Sequence, residues 1–283
     1  MRQDLVRNRT EWFDGTSQSC TDERSPAHSL GRERPRDTRH ALALYGTNGM
    51  AAANVAGRNG LLNRLSSDDF RLLQPNLVPV ELPLLESLEE RGQLVANVYF
   101  IESGFASVVA VGSNGTETEV GLIGPEGMTG ATVVLGGERS PNETYIQMAG
   151  SAMRIESNAL RETLSASRTL ETLLLKYQQA LLVQTEQTAA SNARGRLDER
   201  LARWILMATD RCGGSHLDIT HRFLSVMLGV RRASVTETTQ ILEGERMIRA
   251  TRGKIDILDR ELLEQKAGGY YGVPEAEYRR LLG

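Results

Sequence analysis

Between Leu217 and Leu258, two short apolar-periodic segments flank a glycine turn, and the second opens on side chains suited to base-pair edges. Thr220 is a good helix start, Gly229-Val230 a turn, and Arg231-Arg232-Ala233-Ser234-Val235 the first turn of a helix reaching about Glu243. Val235, Thr239 and Leu242 share one face of that helix and are expected in the core. The opposite face then presents Arg232, Ala233, Thr236, Glu237 and Gln240. An arginine there can pair bidentately with guanine, a glutamate can accept from cytosine N4, and alanine can touch a thymine methyl. Thr220, Arg231 and Ser234 are placed for phosphates, as are Arg252 and Lys254 at the tip of a hairpin spanning Arg249–Leu258. Helix, turn, helix and β wing together predict a winged helix-turn-helix, whose chemistry is the binding of duplex DNA. His221 reads as a helix-start residue and Cys212, beside Gly213-Gly214, as an inert loop thiol.

The charge distribution agrees with that chemistry. From Arg194 to Arg260 there are thirteen Lys/Arg against nine Asp/Glu, a net +4, which leaves −7 for the rest of a chain whose formal charge is −3. Affinity for phosphate depends on a local basic surface and not on the whole-chain balance. With 40% apolar and 24% charged residues the 283-residue chain is globular in composition, and it is long enough for two domains. No apolar run approaches the ~20 residues of a membrane helix. Two distant cysteines, Cys20 and Cys212, argue against a disulfide framework and suit a reducing cytoplasm.

The elements that must carry the DNA-binding segment follow from the composition upstream. Residues 1–58 are polar and Arg/Ser-rich without sustained periodicity, so a disordered extension is expected, and Met50 offers an alternative start. Residues 59–164 begin with two short helical pieces, Ser66 capping the second. Strand candidates follow at Leu94–Glu102, Phe105–Val111, Glu117–Ile123 and Thr144–Met148, with Asn114-Gly115 as a hairpin turn. Short strands at this spacing predict a roll or jelly roll. From Asn158 to about Arg194 the pattern is helical, and Leu170, Leu173, Leu174, Tyr177, Leu181 and Gln184 form one stripe. The stripe serves either as a dimer seam over residues 165–194, the preferred reading, or as a face packed on the chain's own barrel. Arg194-Gly195-Arg196 would be a hinge, and Leu197–Asp210 would open a DNA-binding domain over 195–263. Residues 264–283 carry no interpretable motif.

A roll, a long helix and a winged helix in that order resemble the Crp/Fnr superfamily of bacterial transcription regulators. The specific part is Arg196-Leu197, Arg200 to Leu206 and Leu228-Gly229-Val230-Arg231-Arg232-Ala233-Ser234-Val235-Thr236. In the roll, Val98 to Gly104 is similar to the family's strand-Gly turn, and Gly127 to Gly130 to the approach to its phosphate-binding cassette. The resemblance implies an α+β protein: a cyclic-nucleotide-binding-like β-roll, a dimerisation helix and a C-terminal winged helix-turn-helix. It also implies a homodimer on a palindromic operator, with RNA polymerase as a further partner. Cyclic-AMP-binding members carry Gly-Glu in the cassette, with Arg-Ser/Thr-Ala about ten residues on. Here the match is Gly130-Ala131, followed by Arg139 to Asn142, so the ribose-binding carboxylate is missing and the cassette (Gly130, Ala131, Arg139, Asn142) is degenerate.

Residue inventory narrows the alternatives. An iron–sulfur sensor needs four cysteines, and the histidines, His28, His40, His216 and His221, all lie outside the roll. No nucleophile–base arrangement or Gly-rich phosphate loop with lysine marks an enzyme. The expectation is a cytoplasmic regulator without catalytic residues, metal or cofactor, its effector unidentified. The alternatives are a constitutive DNA binder whose barrel is only a scaffold, and a small-molecule-binding barrel module.

Overall fold

A single buried side chain pins the start of the fold. Asn59 donates through Nδ2 to the carbonyls of Ile101 (2.7 Å) and Gly127 (2.8 Å), and its Oδ1 accepts from the N–H groups of Leu61 and Leu62, both at 3.0 Å. The computed structural model describes residues 57–283. The expected disordered extension, but for its last two positions, and the Met50 start lie outside those residues. After a 3₁₀ turn at Leu62–Arg64 comes helix α1, Ser67–Leu73. As the sequence predicts, Ser66 caps it, Oγ accepting from Asp69 N–H at 3.1 Å.

The β-roll is one antiparallel sheet of β1 (Val78–Leu82), β2 (Ser87–Glu89), β3 (Asn97–Val111), β4 (Glu117–Ile123) and β5 (Glu143–Glu156). The order is β1-β5-β3-β4, with β2 also on β5. The β3–β4 hairpin turns through Gly115, as Asn114-Gly115 predicts, and Asn114 Oδ1 accepts from Thr116 N–H at 3.0 Å. Other strands differ from expectation. Gly104 does not end a strand; β3 runs through it for 15 residues. At φ +71° Gly104 sits in a bulge, and a Cβ there would lie 2.3 Å from Met148 O. The extra residue lets a long strand twist while keeping its partner, so the two strand candidates are halves of one. β5 likewise extends well beyond Thr144–Met148, and β1 and β2 have no counterpart in the sequence reading.

After β4 comes the short helix α2, Ala131–Val134. The helical region beyond β5 is two helices, α3 (Ser157–Ala166) and α4 (Arg168–Arg194). The break is Ser167, whose backbone is extended and whose hydroxyl accepts from Leu170 N–H while donating to Asp69. On α4, Leu170 and Leu174 are fully buried, Tyr177 and Gln184 nearly so, and Leu173 and Leu181 half-buried against the same cores. Gln184 brackets Leu122 of β4, accepting from its N–H (2.6 Å) and donating to its carbonyl (3.1 Å). Tyr177 donates to Met128 O at 3.2 Å, and a Cβ on Gly127 would strike the tyrosine hydroxyl at 2.1 Å. The stripe Leu170, Leu173, Leu174, Tyr177, Leu181 and Gln184 therefore packs on the chain's own roll. This corrects the preferred dimer-seam reading: a face already buried there is closed to a partner.

The C-terminal region comprises α5 (Leu197–Cys212), β6 (His216–Asp218), α6 (His221–Met227), α7 (Arg232–Gly244), β7 (Ile248–Thr251), β8 (Lys254–Ile257), α8 (Arg260–Lys266) and α9 (Val273–Leu282). Gly195, proposed as a hinge, has an ordinary φ of −72°; its smallness matters because a Cβ would lie 2.6 Å from Ser191 O. The tail, unreadable in sequence, folds back onto the roll. Leu282 enters the core beside Leu61 and Leu62, Tyr278 donates to Glu126 O at 2.7 Å, and Arg64 Nε donates to Leu282 O at 2.6 Å.

Replacing Asn59 with alanine strands two carbonyls and two N–H groups in the core. The Asn59→Ala protein should lose about 2–4 kcal/mol of stability, read as a lower urea midpoint at unchanged slope. A midpoint equal to wild type would show that the four bonds make no net contribution.

Candidate nucleic-acid interface

The helix-turn-helix is built from local signals that survive intact in the fold. Thr220 caps α6, its Oγ1 accepting from Phe223 N–H at 3.3 Å, and Phe223, Leu224 and Met227 are buried. Gly229, at φ +63°, makes the left-handed step that turns the chain, and Val230 N–H donates back to Ser225 O at 2.9 Å. Arg231 then stands at the N-cap of α7. Val235, Thr239 and Leu242 are buried, as expected, while Arg232, Ala233, Glu237 and Gln240 are exposed. Ser234 and Thr236 are half-buried.

Thr236 is less free than the sequence implied. Its Oγ1 lies 3.0 Å from Nδ1 of His221 and donates to Arg232 O at 3.1 Å. His221 does more than start a helix: it ties α6 to the exposed face of α7. Burial, and then the neighbouring charge of Arg232, push its imidazole below the usual histidine range, so it is neutral at neutral pH. Sequence reasoning missed this pairing because the two residues are 15 apart and meet only once the turn is folded.

The wing is the antiparallel set β6-β8-β7, with Thr251 opposite Lys254 and Arg252-Gly253 at the tip. Glu243 of α7 accepts from Ala250 N–H at 2.7 Å and fixes the wing against the helix. Arg252 and Lys254 are exposed. Lys254 lies 3.6 Å from Asp218 in an open ion pair, worth at most about 1 kcal/mol and easily exchanged for a phosphate. Strand β6 was not foreseen; three residues give too little alternation to register.

Three side chains of α5 fix the module on the rest of the chain. Arg203 donates to Tyr270 O (2.9 Å) and Thr188 Oγ1 (3.1 Å), Arg211 pairs with Glu126 at 2.8 Å, and Trp204 Nε1 donates to Glu119 at 2.6 Å. Cys212 ends α5 and is not in a loop; burial pushes its thiol up to about 11, which keeps it protonated and unreactive.

The degenerate cassette is not assembled as an anion site. Gly130 precedes α2, and its N–H is already taken by Glu89 of β2 at 2.8 Å. Arg139 is exposed and donates to Gly92 O at 3.0 Å, while Asn142 N–H donates to Ser140 Oγ at 3.3 Å. Ala131 is half-buried at the start of a four-residue helix. Glu89 restores a carboxylate near Gly130, but as a backbone cap from a strand the sequence did not reveal. Among the described residues, no group of three or more His, Cys, Asp or Glu could hold a metal ion. No helix there is long and apolar enough to cross a membrane.

Residues 199–266 match the Crp-like helix-turn-helix domain. The whole arrangement is similar to that of solved Crp/Fnr-type regulators. One from Thermus thermophilus, TTHA1359, is 22% identical, covering 68% of this chain and 100% of its own, with a TM-score of 0.57. A second from that organism, TTHB099, is 18% identical over 67% of this chain and 97% of its own, also at 0.57. The c-di-GMP-responsive global regulator CLP of Xanthomonas campestris is 13% identical over 68% and 99%, at 0.56. This chain has a Crp/Fnr-type fold ending in a Crp-like helix-turn-helix domain. No curated protein matches it in sequence. The matched domain closes with α8, so the Crp/Fnr-type match in sequence stops short of the tail helix α9.

Proposed function

We propose that the protein is a sequence-specific, DNA-binding transcription regulator that acts as a homodimer in the cytoplasm, with RNA polymerase as a further partner and no catalytic role. The observation that carries this reading is the division of α7 into a buried face (Val235, Thr239, Leu242) and an exposed face that starts in its first turn (Arg232, Ala233, Glu237, Gln240). A helix N-terminus presenting such a face enters the major groove with those residues on base edges. Arg232 takes the bidentate guanine role and Gln240 and Glu237 the neighbouring positions, with Thr236 oriented by His221. Thr220, Arg231, Ser234, Arg252 and Lys254 hold the flanking phosphates.

The dimer seam follows from what the roll leaves uncovered on α4. Arg168, Thr172, Leu175, Gln179, Leu182, Glu186, Ala189 and Ala193 recur at alternating four- and three-residue steps, and every one is exposed. Leu175 and Leu182, 41% and 57% exposed, sit seven residues apart. That is the spacing of a two-helix seam, and a two-fold pair would bury it isologously.

The barrel is assigned no cyclic-nucleotide role. Glu89 caps Gly130, and Arg139 points to Gly92 O. The same observation favours the second reading, a constitutive binder whose barrel is a scaffold.

Selection from randomised duplex DNA without added ligand should recover a palindrome with half-sites about one helical turn apart; recovery of no sequence refutes the regulator reading. On that site Arg232→Ala should cost about 1–3 kcal/mol and relax preference at one base pair. An equal loss on all sequences would move Arg232 to the backbone. Leu175→Glu with Leu182→Glu should convert a dimer to a folded monomer in sedimentation; a surviving dimer places the seam elsewhere.

A further inference from the structure

A buried carboxylate joins the roll to the helix-turn-helix module. Glu119 of β4 is 6% exposed. Its Oε2 accepts from the Ser107 hydroxyl on β3 and from Gln147 Nε2 on β5 (2.9 Å), and its Oε1 from Trp204 Nε1 on α5 (2.6 Å). Met227 of α6 closes the cluster, its sulfur 3.8 Å from Ser107 Oγ. Two parts of the fold therefore meet on one side chain: strands of the roll on one side, and on the other the helix leading into the module and the first helix of its helix-turn-helix.

The charges around it are sparse. The groups facing Glu119 are Ser107 from β3, Gln147 from β5, Met227 from α6, and Trp204 and Arg203 from α5. Arg200 lines the same small crevice, with Thr188 and Ser191 from α4. Arg203 is spent on Tyr270 O, Thr188 Oγ1 and Gln184 O, and no ion pair to Glu119 forms among the described residues. A buried carboxylate without an ion pair favours its neutral form. Burial pushes Glu119 up to about 7, against the opposing effect of the three hydrogen bonds and the Arg203 charge.

The cluster accommodates both forms. Ionised, Glu119 accepts all three hydrogen bonds. Protonated, it donates to Ser107 Oγ, which turns its own hydrogen toward the Met227 sulfur, and the Trp204 bond is kept. We propose that Glu119 is a proton-operated latch: the carboxylic acid holds α5 and α6 against β3, β4 and β5, and ionisation loosens that contact. In the released form the carboxylate returns to water and its ordinary value of 4.5. A group raised in the docked state stabilises docking fully below that ordinary value and loses this stabilisation as pH rises through about 7. The latch thus closes at acid pH and loosens as pH rises from 4.5 to about 7, and within that window each pH unit changes the docking equilibrium by up to about tenfold. Its consequence for α7 rests on the DNA-binding reading above; the latch itself does not.

Trp204 reports on its own bond, since the chain has one other tryptophan, Trp12. In the full-length Trp12→Phe protein, Trp204 emission should move to longer wavelength as pH rises from 4.5 to about 7 and level off above that, with its midpoint inside this window. In the same background Glu119→Gln should hold the emission constant, and Gln147→Met, which removes a donor to the carboxylate, should move the midpoint to higher pH. A pH-independent Trp204, a Glu119→Gln protein that still titrates, or a Gln147→Met midpoint equal to wild type overturns the latch. No DNA is present, so a titrating Trp204 in a protein that selects no operator sustains the latch and refutes the regulator reading.

Discussion

A helix can bury a given face only once. On α4 that face belongs to the roll: Leu170 and Leu174 are sealed in its core, Tyr177 reaches Met128 O, and Gln184 occupies both backbone groups of Leu122. Fully burying each leucine contributes about 1.5–3 kcal/mol, more than an exposed seam position can offer in the monomer. With that side fixed, the row through Leu175 and Leu182 is the face that α4 leaves exposed. The same constraint sets the loop before α2, because Gly127 must pass against the Tyr177 hydroxyl.

The sequence was legible where structure is local. Thr220, Gly229 and the spacing of Val235, Thr239 and Leu242 act within a few residues, so the helix-turn-helix could be drawn from them almost helix by helix. Asn114-Gly115 and Ser66 behaved likewise. The long stripe on α4 was visible as a stripe, but periodicity reports only that a face is buried, not what covers it. Choosing between the roll and a second subunit needed the position of Leu122.

Illegible features depend on distant partners. The break at Ser167 arises because its hydroxyl serves Asp69, 98 residues away, in a segment otherwise periodic as one helix. Gly104 looked like a strand end because a glycine between two apolar runs fits either a turn or a bulge, and only the pairing with β5 decides between them. The tail had no motif because its role is contact: Leu282, Tyr278 and Tyr270 each meet a residue more than sixty positions upstream. Of the candidate site, the exposed face of α7 was readable, whereas the service of Thr236 by His221 and the capping of Gly130 by Glu89 were not.

The contacts between roll and helix-turn-helix module differ in kind from either core. Apolar packing tolerates small shifts with small losses, but a buried hydrogen bond to a charged group is lost steeply with distance and leaves its partner exposed to the full cost of desolvation. Arg203 and Arg211 place two such charges between the modules and Glu119 adds a buried carboxyl group, each answered by a donor or acceptor on the other side. An interface of this composition holds one orientation well and intermediate ones poorly, because a partial displacement strands the charges before water can reach them. A change in charge at one of them therefore acts on the orientation as a whole, and α7 is carried with it through the fixed bonds of α5 and α6.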